Sequence, residues 1–341
     1  MSRQWLTALA LSLASLARAE VQSLARGWSA YHTCALSAAG GVKCWGHADG
    51  GRIGTGDESN RGDGADEMGS SLPELDLGDG RTAAEVAVGI YATCARLDTG
   101  AVKCWGVGNN GRLGYGDTIF RGDEANEMGN FLPEVDLGGL SAVQVIAGNQ
   151  HFCARLSDGS LKCWGINDAG QLGLGDTNDR GDQADEMGSN LPTVDLGAGR
   201  TAVHVTAGDK HTCALLDNDD VICWGRADLG ALGHYDSNNG ANMGDEADEM
   251  GSSLATVDFG AGRRAKEIVR HGQLGLGDTT TRGKTAAEMG DNLPALAFGT
   301  DRTAVEISAG DRFFCARLDN GSWVLWDMEM KHRGAQPISQ R

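Results

Sequence analysis

Proline and basic side chains are both scarce in this sequence. Only 5 of the 341 residues are proline, and lysine and arginine number 29 against 47 aspartates and glutamates, which gives a formal net charge of −18. Affinity for nucleic acid depends largely on lysine and arginine neutralising phosphates. Because the chain has neither a basic tail nor a basic block, no nucleic-acid partner is expected. The acidic surface is better suited to solubility, to basic partners or to cations.

Long hydrophobic runs are also missing after the first twenty residues, so no membrane span is expected. Residues 1–19 instead show the three parts of a signal peptide. Met1 to Gln4 supply a short positive region, Trp5 to Leu16 are mostly apolar, and Ala17-Arg18-Ala19 matches an A-x-A cleavage site. A retained amphipathic helix is the alternative, but the stretch has no polar stripe. We predict that residues 1–19 are removed and that the mature protein is secreted.

Glycine, by contrast, is abundant at 52 residues, which indicates many tight turns between short strands and an all-β fold. Internal repeats carry these glycines. Cys-Ala-Leu or Cys-Ala-Arg begins at Cys34, Cys94, Cys153, Cys213 and Cys315, and Cys-Trp-Gly follows ten residues later at Cys44, Cys104, Cys163 and Cys223. The first three steps between units are 60, 59 and 60 residues. A Glu-Met-Gly marker recurs with them at Met68, Met128, Met187, Met250 and Met289.

Each unit predicts four short strands, as its third copy illustrates. His151 to Leu156 and Leu161 to Trp164 form a hairpin around the turn Ser157-Asp158-Gly159. A long loop follows, and two more strands are predicted around Val194-Asp195-Leu196 and Ala202 to Ala207. Four strands in a unit of this length are typical of one blade of a β-propeller.

These motifs resemble the repeat of the regulator of chromosome condensation family. The resemblance rests on Val-Lys-Cys-Trp-Gly, on Gly-Gln-Leu-Gly-Leu-Gly-Asp at Gly170 to Asp176, and on the Ala-Gly-x-x-His-x-Cys-Ala-Leu strand. It covers nearly all of residues 20–326 and implies a β-propeller of four-stranded blades, seven in number in the family. Guanine nucleotide exchange on a small GTPase is the activity that the resemblance implies, although no exchange residue can be carried onto this sequence.

Two departures from the repeat affect the predicted ring. Met250 and Met289 are only 39 residues apart, because Ile268-Val269-Arg270-His271 runs directly into Gly272 and both hairpin strands are missing. The gap is either real or an error in the sequence, such as a skipped exon. In the last unit Leu325 replaces the second cysteine, and residues 327–341 form a divergent tail that matches no earlier unit. We count about six blade equivalents, which leaves closure of the ring open.

The cysteine spacing predicts four disulfides: Cys34 with Cys44, Cys94 with Cys104, Cys153 with Cys163, and Cys213 with Cys223. In each hairpin the two cysteines face one another on adjacent strands, where Cα atoms of a non-hydrogen-bonded pair lie about 4.5 Å apart, which is within disulfide range. Secretion favours bonding, and eight free, buried thiols are the alternative. Cys315 is left as an unpaired thiol. A zinc site is not expected, because zinc ligand pairs are usually two to four residues apart.

The acidic loops are the candidate interaction sites. Arg61-Gly62-Asp63, Arg121-Gly122-Asp123 and Arg180-Gly181-Asp182 resemble an integrin-recognition tripeptide, but their fixed position in the repeat favours a turn in which the arginine pairs with a neighbouring acid. The run from Asp176 also resembles the start of a calcium loop. Arg180 stands at a ligand position there, and the closing acid Glu186 falls one place early. Despite these two mismatches, calcium-dependent adhesion is kept as an alternative function.

No unique nucleophile or catalytic carboxylate stands beside the repeated histidines, so neither enzyme activity nor a cofactor or metal is expected. His32, His151 and His211 occupy one repeat position, which favours a hydrogen-bonded structural role, and the repeated tryptophans favour the blade core. Asn320-Gly321-Ser322 is both a turn signal and a glycosylation acceptor. The sequence thus predicts a secreted binding or scaffold protein whose rim loops contact another protein, and it does not name that partner.

Overall fold

Small antiparallel sheets follow one another along the chain in the computed structural model. The structure describes residues 21–27, 30–233, 241–266, 268, 286–293, 296, 303–309, 313–320, 322–327 and 336–337. The strands of the first four sheets are β1 Val21–Arg26, β2 His32–Ser37 and β3 Val42–Gly46; β4 Ala83–Val88, β5 Ala92–Leu97 and β6 Val102–Gly106; β7 Ala142–Ala147, β8 His151–Leu156 and β9 Leu161–Gly165; β10 Ala202–Ala207, β11 His211–Leu216 and β12 Val221–Gly225. We call these sheets blades 1 to 4.

A fifth sheet near the carboxyl end contains β13 Ala304–Ala309, β14 Phe313–Leu318, β15 Trp323–Asp327 and β16 Gln336–Pro337. Short 3₁₀ turns lie in the connecting loops, at Asp49–Gly51, Asn109–Gly111, Gly129–Phe131, Gly188–Asn190, Asp228–Gly230, Gly251–Ser253, Ala286–Glu288 and Gly290–Asn292. No helix in the described part of the chain is long and apolar enough to cross a bilayer. The all-β propeller class predicted from the repeats is confirmed.

The blades differ from the four-stranded expectation at their outer edge. The predicted strand at Val194-Asp195-Leu196 is an extended segment, and it joins β9 through one backbone bond, from Val194 N–H to the Leu161 carbonyl at 2.8 Å. Leu75, Val135 and Val257 make the corresponding bond in the other three blades. Each blade therefore presents three full strands and a short bracing segment that follows the long loop.

The inner strand of each blade carries a β-bulge. The register with the second strand shifts between Ala83 and Glu85, and between Ala142 and Gln144, with the same shift in the other sheets. A bulge turns the next side chain away from its own sheet. Gln144 uses this to donate from Nε2 to the Val205 carbonyl at 2.9 Å and to accept from Val205 N–H at 3.1 Å. The free edge of blade 4 is thereby hydrogen-bonded by a side chain of blade 3.

The core lies between consecutive blades. Strand β6 is buried along its whole length, whereas β3 in blade 1 alternates between buried and part-exposed residues. Sheets covered on both faces have near-continuous hydrophobic strands, and sheets covered on one face alternate. Leu24 of blade 1 is 65% exposed, while its counterpart Val145 in blade 3 is 2% exposed. Blade 1 therefore has one open face.

The interrupted unit still docks onto blade 4. Gly290 N–H donates to the Asp258 carbonyl at 3.0 Å, which repeats the bond from Gly251 N–H to the Asp195 carbonyl one unit earlier. Most of the stretch around the predicted missing hairpin, including Gly272, lies outside the described residues. The boundaries at residues 19 and 326 likewise remain predictions.

Candidate functional site: the acidic loop face

The predicted cysteine pairs lie directly opposite one another in their hairpins. Cys34 pairs in register with Cys44, and the other three pairs repeat this arrangement. Their S–S distances are 2.06 to 2.09 Å and their Cα atoms are 4.0 to 4.1 Å apart. Cys315 lies opposite Leu325 in the fifth sheet, and its side chain lies outside the described residues.

The candidate site is a series of acidic loops, one from each blade. Each loop runs from the aspartate after the third strand to the methionine of Glu-Met-Gly: residues 57–68, 117–128 and 176–187, with a fourth described from residue 241 to Met250. Backbone bonds attach each loop to its own blade, as between Arg180 N–H and the Gly165 carbonyl at 3.1 Å. Gly175 N–H also donates to the Gly244 carbonyl of the next loop at 3.0 Å. The loops therefore form a continuous strip along the blades.

The arginine of each Arg-Gly-Asp tripeptide is held inside its own loop. Arg61 Nη2 lies 2.7 Å from Asp57, Arg121 lies 2.8 Å from Asp117, and Arg180 lies 2.6 Å from Asp176. Their side chains are 15 to 21% exposed. Arg121 also stacks over the Tyr115 ring. The tripeptide thus forms a turn with a satisfied cation, and little of that cation is presented to a partner.

The glutamate of Glu-Met-Gly closes the same turn. Glu186 Oε2 accepts from the backbone N–H groups of Gly181, Asp182 and Gln183 at 2.9, 3.2 and 3.1 Å. Glu67, Glu127 and Glu249 make the same three bonds in their loops. Three converging N–H groups form an anion-binding nest. Each nest is occupied by the loop's own carboxylate.

The tripeptide aspartate shares this corner with the glutamate. Burial, together with hydrogen bonding and repulsion from Glu186, raises the pKa of Asp182, and Asp123 has its pKa raised by burial and Glu127 in the same way. Two carboxylates in contact could suggest a cation site. Among the described residues, however, no three His, Cys, Asp or Glu side chains come together as a metal site would need.

The repeated histidines link one blade to the next. His32 Nε2 lies 2.7 Å from Thr93 Oγ1, and the Thr93 hydroxyl donates to the Arg52 carbonyl at 3.0 Å, so His32 is the donor of the first bond. His151 and Thr212 repeat this link between blades 3 and 4 at 2.9 Å. Burial lowers the pKa of both histidines to about 3. They are therefore neutral structural groups at physiological pH.

The tryptophans are covered by glycines of the preceding loop. A Cβ on Gly54, Gly114 or Gly173 would lie 2.7 to 2.9 Å from the indole nitrogen of Trp105, Trp164 or Trp224. All three tryptophans are fully buried, whereas Trp45, in the open face of blade 1, is part-exposed. The glycines of Gly-Gln-Leu-Gly thus serve the packing between blades.

Sequence reasoning missed a stack of cations around Tyr91. The guanidinium carbons of Arg52 and Arg112 lie 5.3 and 5.2 Å from the Tyr91 ring centre, from two different blades. Both arginines replace the glutamine of Gly-Gln-Leu-Gly. That replacement was a visible signal in the sequence, but Tyr91 lies far from Arg52 along the chain.

Asn320, the predicted glycan acceptor, is exposed and its Oδ1 accepts from Ser322 N–H at 3.1 Å.

The tips of the acidic loops differ from unit to unit although their supports are the same. Ser59, Ile119 and Asn178 occupy one position, and each N–H donates to the aspartate two residues before it. Ile119 is 60% exposed. At a second variable position Phe131 is 72% exposed, where the other units have Ser71 and Asn190. Blade 2 therefore presents two apolar side chains that the repeat does not require.

Comparison with known proteins agrees with this architecture. Family models described as the regulator of chromosome condensation (RCC1) repeat match residues 142–171, 202–230 and 158–215. These matches identify residues 142–230 as RCC1 repeats and support an RCC1-repeat β-propeller. The ultraviolet-B receptor UVR8 of Arabidopsis thaliana is 31% identical over 223 residues, which cover 65% of this chain and 43% of UVR8. The probable E3 ubiquitin-protein ligase HERC4 of Homo sapiens is 28% identical over 58% of this chain and 18% of HERC4.

Solved structures share the fold of this chain. Human WBSCR16 superposes with a TM-score of 0.67 at 16% identity, covering 95% of this chain and 83% of WBSCR16. Prp20p of Saccharomyces cerevisiae gives a TM-score of 0.52 at 17% identity, covering 94% and 63% of the two chains. The chain spans less than half of the length of the two curated relatives named above. These likenesses establish the propeller and leave activity and partners to be argued from the residues.

Proposed function

We propose that this protein is a secreted, non-enzymatic RCC1-repeat propeller that binds a protein partner through the tips of its acidic loops. The observation that carries the proposal is the contrast within those loops. The Arg–Asp pair recurs in the first three loops and the glutamate turn in all four, while the exposed positions at Ser59, Ile119 and Asn178 differ. Variable side chains on a rigid repeated support are typical of binding surfaces built from repeats.

The apolar anchors of the proposed surface are Ile119, in the acidic loop of blade 2, and Phe131, three residues after that loop. Ile119 and Phe131 replace polar residues of the neighbouring units and are largely exposed. Aromatic and aliphatic anchors surrounded by polar groups are common at protein interfaces. Prp20p, which has the same fold, is described as binding Gsp1p and histones, so protein binding is compatible with this architecture.

A photo-crosslinking amino acid placed at Ile119 or Phe131 tests the surface. We expect crosslinks to one protein from these two positions and none from Val203, an exposed valine on the inner strand of blade 4 that serves as the matched control. The double change Ile119→Ser and Phe131→Ser, which places the unit 1 residues Ser59 and Ser71 at these two positions, should weaken binding of that protein at least tenfold. Unchanged binding by the double variant, or equal crosslinking from Val203, would show that the acidic loop face is not the binding surface.

Secretion is supported by the four cysteine pairs at bonding distance, because disulfides persist in oxidising compartments. Intact mass of the natively expressed protein, with and without reduction and alkylation, is the direct test. We expect an amino terminus at Glu20 and eight cysteines that become alkylated only after reduction. A retained Met1 with nine free thiols would contradict secretion and favour an intracellular protein.

Guanine nucleotide exchange on a small GTPase is the second candidate, and the binding of Gsp1p by Prp20p is the observation that favours it. Release of a fluorescent nucleotide from purified GTPases would be accelerated by this protein if it were an exchange factor. We expect no acceleration above the spontaneous rate.

A further inference from the structure

The four cysteine pairs share one position in the hairpin but differ in what covers them. In blades 1 to 3 the next blade packs over the pair. Cys34 and Cys44 belong to one cluster with Val88 and Trp105 of blade 2, and Cys94 and Cys104 cluster with blade 3. Cys153 and Cys163 do the same with blade 4. All six of these cysteines are 0% exposed.

The pair in blade 4 has a different cover. The unit that follows lacks both hairpin strands. Among the described residues, the cluster of Cys223 contains Leu215, Val221 and Leu232 of blade 4 itself, and Val257, Phe259 and Ile268 of the segment that follows blade 4 pack against it. This cover is incomplete, because Cys213 is part-exposed while Cys223 is 4% exposed. Of the eight paired cysteines, Cys213 is the one that is part-exposed.

We propose that the Cys213–Cys223 disulfide is a thiol–disulfide exchange site that accepts electrons from a dithiol reductant. The inference rests on the proposed secreted, disulfide-bonded protein. A thiolate of the reductant attacks the Cys213 sulfur, the Cys213–Cys223 bond breaks, and Cys223 leaves as a thiolate that takes up a proton. The second thiolate of the reductant then displaces Cys213, which also takes up a proton. Two electrons pass to the protein, and the dithiol becomes a disulfide.

Access decides which bridge reacts, because the attacking thiolate must approach along the S–S axis. In blades 1 to 3 this approach requires separation of two packed blades. In blade 4 the described residues that pack against the pair from beyond the blade belong to a single segment, which includes Val257, Phe259 and Ile268, and displacement of that segment would open this side of the bridge. Reduction therefore loosens the array at one defined point, next to the interrupted unit, and leaves blades 1 to 3 bridged.

Graded reduction of the whole folded protein tests the proposal. The protein is treated with increasing dithiothreitol, free thiols are blocked with N-ethylmaleimide, and the remaining bridges are reduced and labelled with iodoacetamide before peptide mapping. We expect maleimide on Cys213 and Cys223 at a dithiothreitol concentration at least tenfold lower than on Cys94 with Cys104 or on Cys153 with Cys163. The variant Phe259→Ala, which thins the cover, should lower that concentration further.

Two negative outcomes are distinguishable. If maleimide labels all nine cysteines before any dithiothreitol is added, the disulfide-bonded protein itself is disproved and this site with it. If the bridges are present but all four are reduced together, or a bridge of blades 1 to 3 reacts first, the exchange site is disproved and the proposed function stands. Circular dichroism of Phe259→Ala without reductant identifies any variant that has lost its fold.

Discussion

Single residues in this protein serve contacts between blades more than contacts within them. His151 shows this clearly, because the residue is 0% exposed and its Nε2 lies 2.9 Å from Thr212 Oγ1 of the next blade. Burial away from water disfavours the charged imidazolium and favours the neutral ring. The lowered pKa values of His32 and His151 follow from that burial.

Acid should weaken the fold through these histidines. Their pKa is about 3 in the folded protein and 6.5 for an ordinary histidine, so between these values the unfolded chain binds more protons. Above pH 6.5 these histidines are neutral in both the folded and the unfolded chain. The free energy of unfolding then decreases as the pH falls from about 6.5 towards 3. His151→Gln should reduce the loss in the free energy of unfolding between pH 7 and pH 5 by roughly 1 to 2 kcal/mol. Urea titrations at both pH values measure this loss, and an unchanged pH slope would argue against it.

The two carboxylates of one acidic loop should respond in opposite directions. Glu186→Gln weakens the acceptor for three backbone N–H groups and should cost about 1 to 2 kcal/mol of stability. Asp182→Asn removes a carboxylate whose pKa is raised by burial and by Glu186, and it should leave stability equal or slightly higher at pH 7. Thermal melting of the two variants compares them directly. Equal destabilisation would mean that both carboxylates are needed as anions.

At the scale of strands and loops, the glycines that face tryptophans join the blades. Gly173→Ala forces a Cβ to within 2.7 Å of Trp224 at φ +68°, whereas Gly199→Ala has φ +70° and nothing within 4 Å. The unfavourable φ should cost about 1 kcal/mol in both variants. The clash should add about 2 kcal/mol in Gly173→Ala alone. Chemical unfolding of the pair isolates the packing contribution, and equal losses would show that the loop moves away freely.

The sequence allowed the hairpins to be predicted but not the contacts between units. Ten residues around Ser157-Asp158-Gly159 determine the register that brings Cys153 opposite Cys163, so local spacing was sufficient. The bond of Gln144 to Val205 joins residues 61 apart, and no local pattern indicates it. The fourth strand was overestimated for a related reason. Val194 and Leu196 are apolar residues at buried positions. Burial explains this pattern without a full hydrogen-bonded strand.

At the scale of the whole molecule, the interrupted unit should be repairable. The step from Met250 to Met289 is 21 residues short of 60, and residues 149–169 form the corresponding segment of unit 3. A copy of this segment inserted between His271 and Gly272 should cover blade 4, raise the melting temperature and make reduction of Cys213–Cys223 at least tenfold harder. An inserted Gly-Ser segment of equal length is the control. Equal behaviour of the two insertions would show that blade 4 does not need a neighbour.

The packing between blades has a direction, because each blade covers the cysteines of the unit before it and has its tryptophan covered by that same unit. A break in the array therefore leaves two different chemical signatures. The blade before the break has a more exposed disulfide, as in the pair of Cys213 with Cys223. A blade with no unit packed before it has a more exposed tryptophan, as Trp45 is. Thiol labelling would identify the blade before a break in an RCC1-repeat array, and tryptophan emission would identify the blade after it.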